Sequence, residues 1–336
     1  MKNRMPVEFH AEPDPFGDLC VRVSALVPTN PFYTATYAKA QQSLGYHPWI
    51  LCLKEQGRMR SACIAFAKAG RLNRVLEVTS LPALAQPEVF WKGLLDFCRR
   101  SGITRLSVDS FGSSAASIPA LPGEHARSDR CEYVLDLTAS EPLRNLSSNH
   151  KRNIQRAAAS GQRVKCTRDL VACEVHAQLI RASMHRRNTR GEAAPEDVRP
   201  DVFVTLVRHG AAELYQAVAG TNILSSVLVL RAARGAYYQS AGTSPEGMEA
   251  GASPFLIRET ARLLRESGVE MFNLGGAAPS NPGLRRFKAG FGPREVALQS
   301  AEFHFGSSLA HKVGTAARLV RSLLLPGNAG ATRQDG

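Results

Sequence analysis

Read for the spacing of apolar and polar positions, the chain alternates strand-like runs with amphipathic helices, which is the pattern of a mixed α/β protein. Asn30 to Gln42, NPFYTATYAKAQQ, predicts a helix capped near Thr29 or Asn30 with Pro31 in its first turn. HPWILCLK follows as a strand, Gly57 marks a turn into SACIAFAKA, and Arg74 to Thr79 adds a third strand, so the three predict a meander. Pro87 opens a helix, PEVFWKGLLDFCRR, whose Val89, Phe90, Leu94, Leu95 and Phe97 form an apolar stripe. Gly102 ends that helix, and ITRLSVDSF returns as a strand.

The same order recurs later. NILSSVLVLR, from Asn222 to Arg231, turns at Gly235 into AYYQSAG, and the helix FLIRETARLLRESG leads to the strand VEMFNL. Cys98 to Val108, CRRSGITRLSV, aligns without a gap on Leu264 to Leu274, LRESGVEMFNL, with Arg, Ser and Gly shared at one offset of 166 residues. This predicts an internal duplication, with a first lobe over 1–140, a second over 141–306, and a C-terminal helix and tail over 307–336. The first copy ends in DSFGSS and the second in Gly-Gly with a basic turn, which places the chemistry in the second.

Between the copies CEYVLDL reads as a strand and is followed by a helix from about Pro142 to Ser160, closed by Gly161. Arg152 and Arg156 stand four apart on that helix beside Lys151. Like charges at this spacing cost a few tenths of a kcal/mol, so a bound anion or a solvated basic face would each account for them. His185, Arg186, Arg187 and Arg190 close the next helix, where cations complement the helix dipole or meet a ligand. Asn188 to Pro200 has no periodicity and predicts a loop over the site. Near the C-terminus Leu309, Val313, Ala317, Val320 and Leu324 fall on one helical face, predicting a helix packed on the protein or lying on anionic lipid.

Charge sharpens this picture. Residues 1–140 hold 16 basic and 13 acidic residues, whereas 141–336 hold 26 and 16, so most of the net charge of +13 belongs to the second half. Such a field favours nucleic acid, a phosphorylated ligand or an anionic membrane. MKNRMPVEFHAEPDP has acids and prolines where a secretory signal needs an apolar core, and no uncharged run nears the about 18 residues of a membrane span, which together predict a cytoplasmic protein. Seven cysteines without a C-x-x-C pair argue against a disulfide framework or a structural zinc site. Cys173 and His176 share a helical spacing, but no further ligands accompany them, and no metal is expected.

The densest chemistry lies in VEMFNLGGAAPSNPGLRRFKAGFG, Val269 to Gly292. A strand stops at Gly275 and Gly276, where glycine permits positive φ and lets a ligand approach the backbone. Pro282 then suits a first helical turn, with Arg285, Arg286 and Lys288 beside Phe287, so a helix N-terminus with cations next to it predicts anion binding. Tyr237 and Tyr238 are candidate proton donors, of which strand alternation turns one toward the site. No Ser/His/Asp or Cys/His set offers a base by spacing.

These residues resemble a known family. YYQSAGTSPEG, FLIRETARLLRESG, FNLGG and the closing GLRRFKAGFG look like the acyltransferase domain of the Fem-type branch of the GNAT superfamily, and SSNHKRNIQRAAASG is similar to the basic helix that opens it. NPFYTATYAKA looks like the start of the family's first lobe, so the resemblance spans about residues 28–305. It implies an α/β fold of two tandem GNAT-like lobes and transfer of an acyl or aminoacyl group to an amine of a small molecule or cell-envelope precursor. Acyl-CoA or aminoacyl-tRNA would be the co-substrate, with no tightly bound cofactor. In the family, Phe287 and Lys288 would lie where the acyl group moves, the lysine stabilising the tetrahedral intermediate; beside them, Tyr238 is the candidate proton donor of the two strand tyrosines. Arg152, Arg156, Arg187, Arg285 and Arg286 are the matching candidates for substrate binding, and Gly251, Ser253, Gly275 and Gly276 for the donor. One departure stands out: GNAT enzymes that use acyl-CoA place a basic or Gln residue before spaced glycines at the start of the long helix, and here Met248 takes that place with only Gly251 retained. A non-catalytic module that binds RNA or a nucleotide-linked precursor is the alternative from another class.

Overall fold

The computed structural model describes residues 6–70, 73–112, 116–191, 198–277 and 281–305. The chain forms two compact units. The first holds Met1–Arg130 and takes back the chain from Val296, and the second begins at Cys131 and runs to Glu295. The second unit thus starts before residue 141, and the last described strand returns to the first unit instead of closing the second.

In the first unit β1 (Val7–Pro13) and α1 (Asp18–Leu26) precede the first predicted helix. That helix is split: Asn30 caps a 3₁₀ turn at Pro31–Tyr33, and Thr34 caps α2 (Ala35–Ser43) by accepting from Tyr37 N. Two N-cap residues four apart make two short helices instead of one. The meander follows as β2 (His47–Glu55), β3 (Arg58–Ala69) and β4 (Arg74–Leu81), its first turn made by Gln56 and Gly57, both at positive φ. The helix α3 (Pro87–Arg100) leads to β5 (Arg105–Ser110), which pairs parallel to β4. Antiparallel pairing of β1 with β2, β2 with β3, and β3 with β4 completes the frame. Two strands run through the division between units, β6 (Glu124–Asp136) and β12 (Arg294–His304), and β12 pairs antiparallel with β5 from Ser300↔Asp109 to His304↔Arg105.

In the second unit the basic helix α4 (Ser148–Ala159) is shorter than its pattern predicts, because the Ser147 side chain accepts from His150 N and starts the helix there. Then come β7 (Arg163–Thr167), α5 (Leu170–Thr189) and α6 (Pro200–Arg208), followed by the second meander β8 (Ala212–Ala219), β9 (Asn222–Arg231) and β10 (Gly235–Thr243). A short turn of helix α7 (Pro245–Glu249) leads to α8 (Ala252–Glu266), β11 (Met271–Gly276) and α9 (Pro282–Ala289). The strand order is β6-β11-β10-β9-β8-β7, with β10 parallel to β11. Phe255, Leu256, Ile257, Ala261 and Leu264 of α8 pack on Tyr215, Val227, Val229 and Phe272 to form the core.

Both units therefore run meander, helix, parallel strand. The aligned segments occupy equivalent places: Ile103 N donates to Cys98 O (2.9 Å) and Val269 N to Leu264 O (3.0 Å), each across a glycine at positive φ, Gly102 and Gly268. The same helix end recurs after α4 and α6, at Gly161 and Gly210, so helix-end chemistry alone does not mark the repeat. Strand order does. The helix read over 307–324 lies outside the described residues, as do residues 192–197 of the loop before Pro200. Among the described residues no helix is long and apolar enough to cross a membrane.

Candidate active site

The two units differ where β4 meets β5 and where β10 meets β11. In the first, the parallel pair continues to Leu81↔Ser110, and Phe111 N still donates to Leu81 O (3.2 Å). In the second, pairing ends at Tyr237↔Asn273, although β10 runs on to Thr243 and β11 to Gly276. The strands part there, helped by a bulge between Tyr238 and Ser240 on β10 and a register shift between Asn273 and Gly276 on β11. Parted parallel strands leave backbone groups and side chains facing a gap, and the sequence-predicted Gly275 and Gly276 line its β11 side.

Lys288 reaches this gap. It is 3% exposed, its Nζ donates to Gly276 O, and it lies 5.3 Å from the centre of the Tyr238 ring. A Cβ added at Gly275 would lie 3.1 Å from the Tyr237 hydroxyl and 3.5 Å from Lys288 Nζ. Alternation predicted one tyrosine at the site, but both border this lysine: Tyr238 offers its ring face, and Tyr237 extends into the room that Gly275, at φ 72, leaves open. Burial pushes the lysine down to about 7, opposed by Glu132 and then Cys131. Burial also raises the Tyr238 phenol, so it stays protonated at neutral pH.

The helix carrying Lys288 is tied at both ends. Asn281 Oδ1 accepts from Leu284 N (3.0 Å), Pro282 fills the first turn, and Gly292, at φ 70, closes the turn after it. Arg286 and Lys288 sit in the last turn of α9, so they complement the negative end of its dipole; the expected grouping of these cations at a helix N-terminus does not hold. The ring of Phe287 packs on His150 and Phe291, and its carbonyl accepts from His150 Nε2 (2.8 Å). Ser147 N donates to Gly290 O (2.8 Å), and a Cβ at Gly290 would come within 2.7 Å of His150 Nε2. The start of α4 is thus clamped to the end of α9. His150 is buried, which lowers its pKa, and its Nδ1 has no partner.

The loop from β10 to α8 is where the resemblance would place a CoA pyrophosphate, and here four of its amides are used internally. Gly247 N donates to Ser244 Oγ, Met248 N to Ser244 O, Ala250 N to Glu246 O and Gly251 N to Met248 O. Two of its carbonyls are gripped, Glu249 O by Arg156 of α4 (2.7 Å) and Ala250 O by Gln162 from the turn after α4 (3.0 Å). Arg152 bonds Asn149 Oδ1 (3.2 Å), so the two like charges turn apart, and Arg156 is committed to the loop instead of standing free on a basic face. Gly251 caps α8 at φ 69, and a Cβ there would lie 2.5 Å from Asn153 O. Gly251→Ala should therefore cost about 2–3 kcal/mol of stability, read as a lower urea midpoint, since both φ and space oppose it.

The remaining sequence candidates are dispersed. Ser253 receives a hydrogen bond from Thr243 Oγ1 (3.3 Å), fastening α8 to β10. Arg187 contacts Met184 Sδ, while its neighbour Arg186 binds Thr243 O and Ser183 Oγ, holding α5 to the end of β10. Arg285 reaches Glu295 (3.7 Å) and Tyr133, and Arg286 is exposed. Both nitrogens of His176 are taken by Ser226 and Ser240 Oγ (3.0 and 2.8 Å), beside the β10 bulge. Burial holds that imidazole neutral, near a pKa of about 3.

Two residues absent from the sequence reading belong to the site. Asn273 Nδ2 donates to Glu132 Oε2 (2.8 Å), and Asn273 Oδ1 accepts from Gly275 N (2.7 Å). Glu132 is 1% exposed and is the register partner of Gly276. The signal was an acid, Glu132, near the start of the strand-like run CEYVLDL, where burial demands a partner.

Comparison with known proteins gives this geometry its context. Residues 144–289 match the model of the acetyltransferase (GNAT) domain. No curated protein sequence matches. The fold is similar to the crystal structure of FemX (TM-score 0.62, 12% identity, covering 88% of this chain and 98% of that one). It is similar also to the C-terminal domain of a putative lysylphosphatidylglycerol synthetase from Agrobacterium fabrum (0.54, 16%, 94% and 98%). A tandem GNAT protein from the clavulanic acid biosynthesis pathway matches as well (0.51, 15%, 90% and 100%). The α/β fold is one of two tandem GNAT-like lobes, similar to those of FemX and of the tandem GNAT protein, and residues 144–289 match an acetyltransferase (GNAT) domain.

Proposed function

We propose that this protein is an N-acyltransferase that moves an aminoacyl group from an activated ester donor, of the aminoacyl-tRNA kind, to the amine of a small molecule or cell-envelope precursor in the cytoplasm. The observation that carries the reading is the buried Lys288, aimed into the gap where β10 and β11 part. The acceptor amine attacks the ester carbonyl, a C–N bond forms, and the carbonyl oxygen gathers negative charge. Lys288 donates to that oxygen, and with a pKa of about 7 it is matched to proton donation at neutral pH. Collapse breaks the C–O bond, and the leaving oxygen takes a proton from Tyr238 or Tyr237, which recovers one from the attacking amine. Phe287 acts through its packing on His150 and Phe291, which fixes the turn that carries Lys288.

The choice of ester over CoA thioester rests on the loop before α8. Four of its amides are engaged within the turn, and Met248, 52% exposed, stands where a cation would meet phosphate. Gly251 and Ser253 then serve the start of α8, and Arg152 and the exposed Arg286 are cations that could meet a polyanionic donor. The test is turnover with labelled aminoacyl-tRNA and labelled acetyl-CoA in parallel, with a mixture of amine acceptors. Label passing from tRNA to an amine is expected, with none from acetyl-CoA. Transfer from acetyl-CoA would overturn the donor assignment, and transfer from neither would favour a binding module.

A further inference from the structure

Lys288 poses a problem of charge. A buried ammonium needs a counter-charge or it loses its proton, and the groups around it supply little: burial keeps the Tyr238 phenol on β10 protonated, and His150 from α4 is neutral and spends Nε2 on Phe287 O. On β6, Cys131 bonds Glu295 Oε1 (3.0 Å), and burial holds its thiol protonated. Arg285 lies against Glu295 and Tyr133, beyond these. The carboxylate left is Glu132, more deeply buried than Lys288, paired in register with the Gly276 whose carbonyl Lys288 holds. Asn273 joins the two sides by binding Glu132 with its amide nitrogen and Gly275 N with its amide oxygen.

We propose that Glu132 is a positioning residue that keeps Lys288 charged at the gap, with Asn273 fixing the carboxylate and the Gly275–Gly276 backbone in one frame. The inference deepens the reading of Lys288 given above, but its test uses no substrate, so the two fail separately. Lys288 does the chemistry, and Glu132 sets how much of it carries a proton.

The experiment follows the Lys288 side chain by NMR in carbon-13 lysine-labelled full-length protein, with its signal assigned by its loss in Lys288→Arg. Glu132→Gln keeps an acceptor for Asn273 and removes the charge, so the Lys288 midpoint should fall by about one pH unit or more, the range expected for losing a nearby opposite charge. Glu132→Asp, which keeps the charge, should stay nearer the parent. A folded Glu132→Gln protein with the parent midpoint overturns the proposal. If that variant is too unstable to titrate, urea unfolding in the Lys288→Met background decides. There, Glu132→Gln should lower the midpoint less than it does beside Lys288, because no unpaired ammonium is left behind. An equal loss in both backgrounds overturns it as well.

Discussion

Lys288→Ala is expected to lower kcat about a hundredfold, or about 3 kcal/mol, with substrate affinity changed far less, because the lysine meets an oxygen that is charged only as the reaction proceeds. Lys288→Arg should fail as well. A planar guanidinium cannot enter a space sized for one nitrogen between Gly276 O, the Tyr238 ring and the open face of Gly275. The pH dependence has a definite sign. Burial lowers Lys288 from its ordinary value to about 7, so the charged form required for donation is full below that value and lost above it. Turnover should therefore decline as pH rises through about 7, and this limb should be missing from the residual activity of Lys288→Ala. A lysine on a solvated turn would leave kcat unchanged, and a lysine acting as base would show a rate that rises over the same interval. Rates measured from pH 6 to 9 separate the three.

Gly242→Ala is expected to remove about 3 kcal/mol or more of stability. A Cβ at Gly242 would stand 2.3 Å from Leu179 C and 2.4 Å from Ile180 N, so it collides with the backbone of α5 and no side chain can yield to relieve it. The helix must lift from β10, which strips Arg186 and Ser183 from Thr243 and His176 from Ser240. Those contacts hold the part of β10 that leaves β11, so turnover should be lost together with the urea midpoint. Unfolding at the parent midpoint would show that α5 is free to move there.

Much of this was legible in the sequence because it is written locally. The two meanders, their following helices and the shared helix ends depend on periodicity and on glycines at fixed offsets, and Gly275, Lys288 and the Met248 departure stand in one dimension as they do in three. Other features depend on pairing across distance. Nothing in AYYQSAG or MFNLGG states that β10 and β11 separate after Tyr237, whereas β4 and β5 stay joined to Leu81 and Ser110. Arg156 reads as a free cation on a basic face because its acceptor, Glu249 O, is a backbone atom 93 residues away. Glu132 was passed over as one polar residue in a strand, since burial of a carboxylate shows only once Asn273 and Gly276 are brought beside it.

The return of the chain to the first unit at Val296 sets an order of events during synthesis. Strand β5 waits for β12, which is made 184 residues or more after Ser110, counting from Ser110 to Arg294, and only when every strand of the second unit has left the ribosome. Until then β5 offers an open edge to other nascent chains. The described residues of the second unit lie in one run, 131–295, and so are placed to fold first although they are translated second, reversing the usual N-terminal-first course. A chain released just before Val296 should hold the described strands and helices of the second unit attached to an unfinished, aggregation-prone first unit.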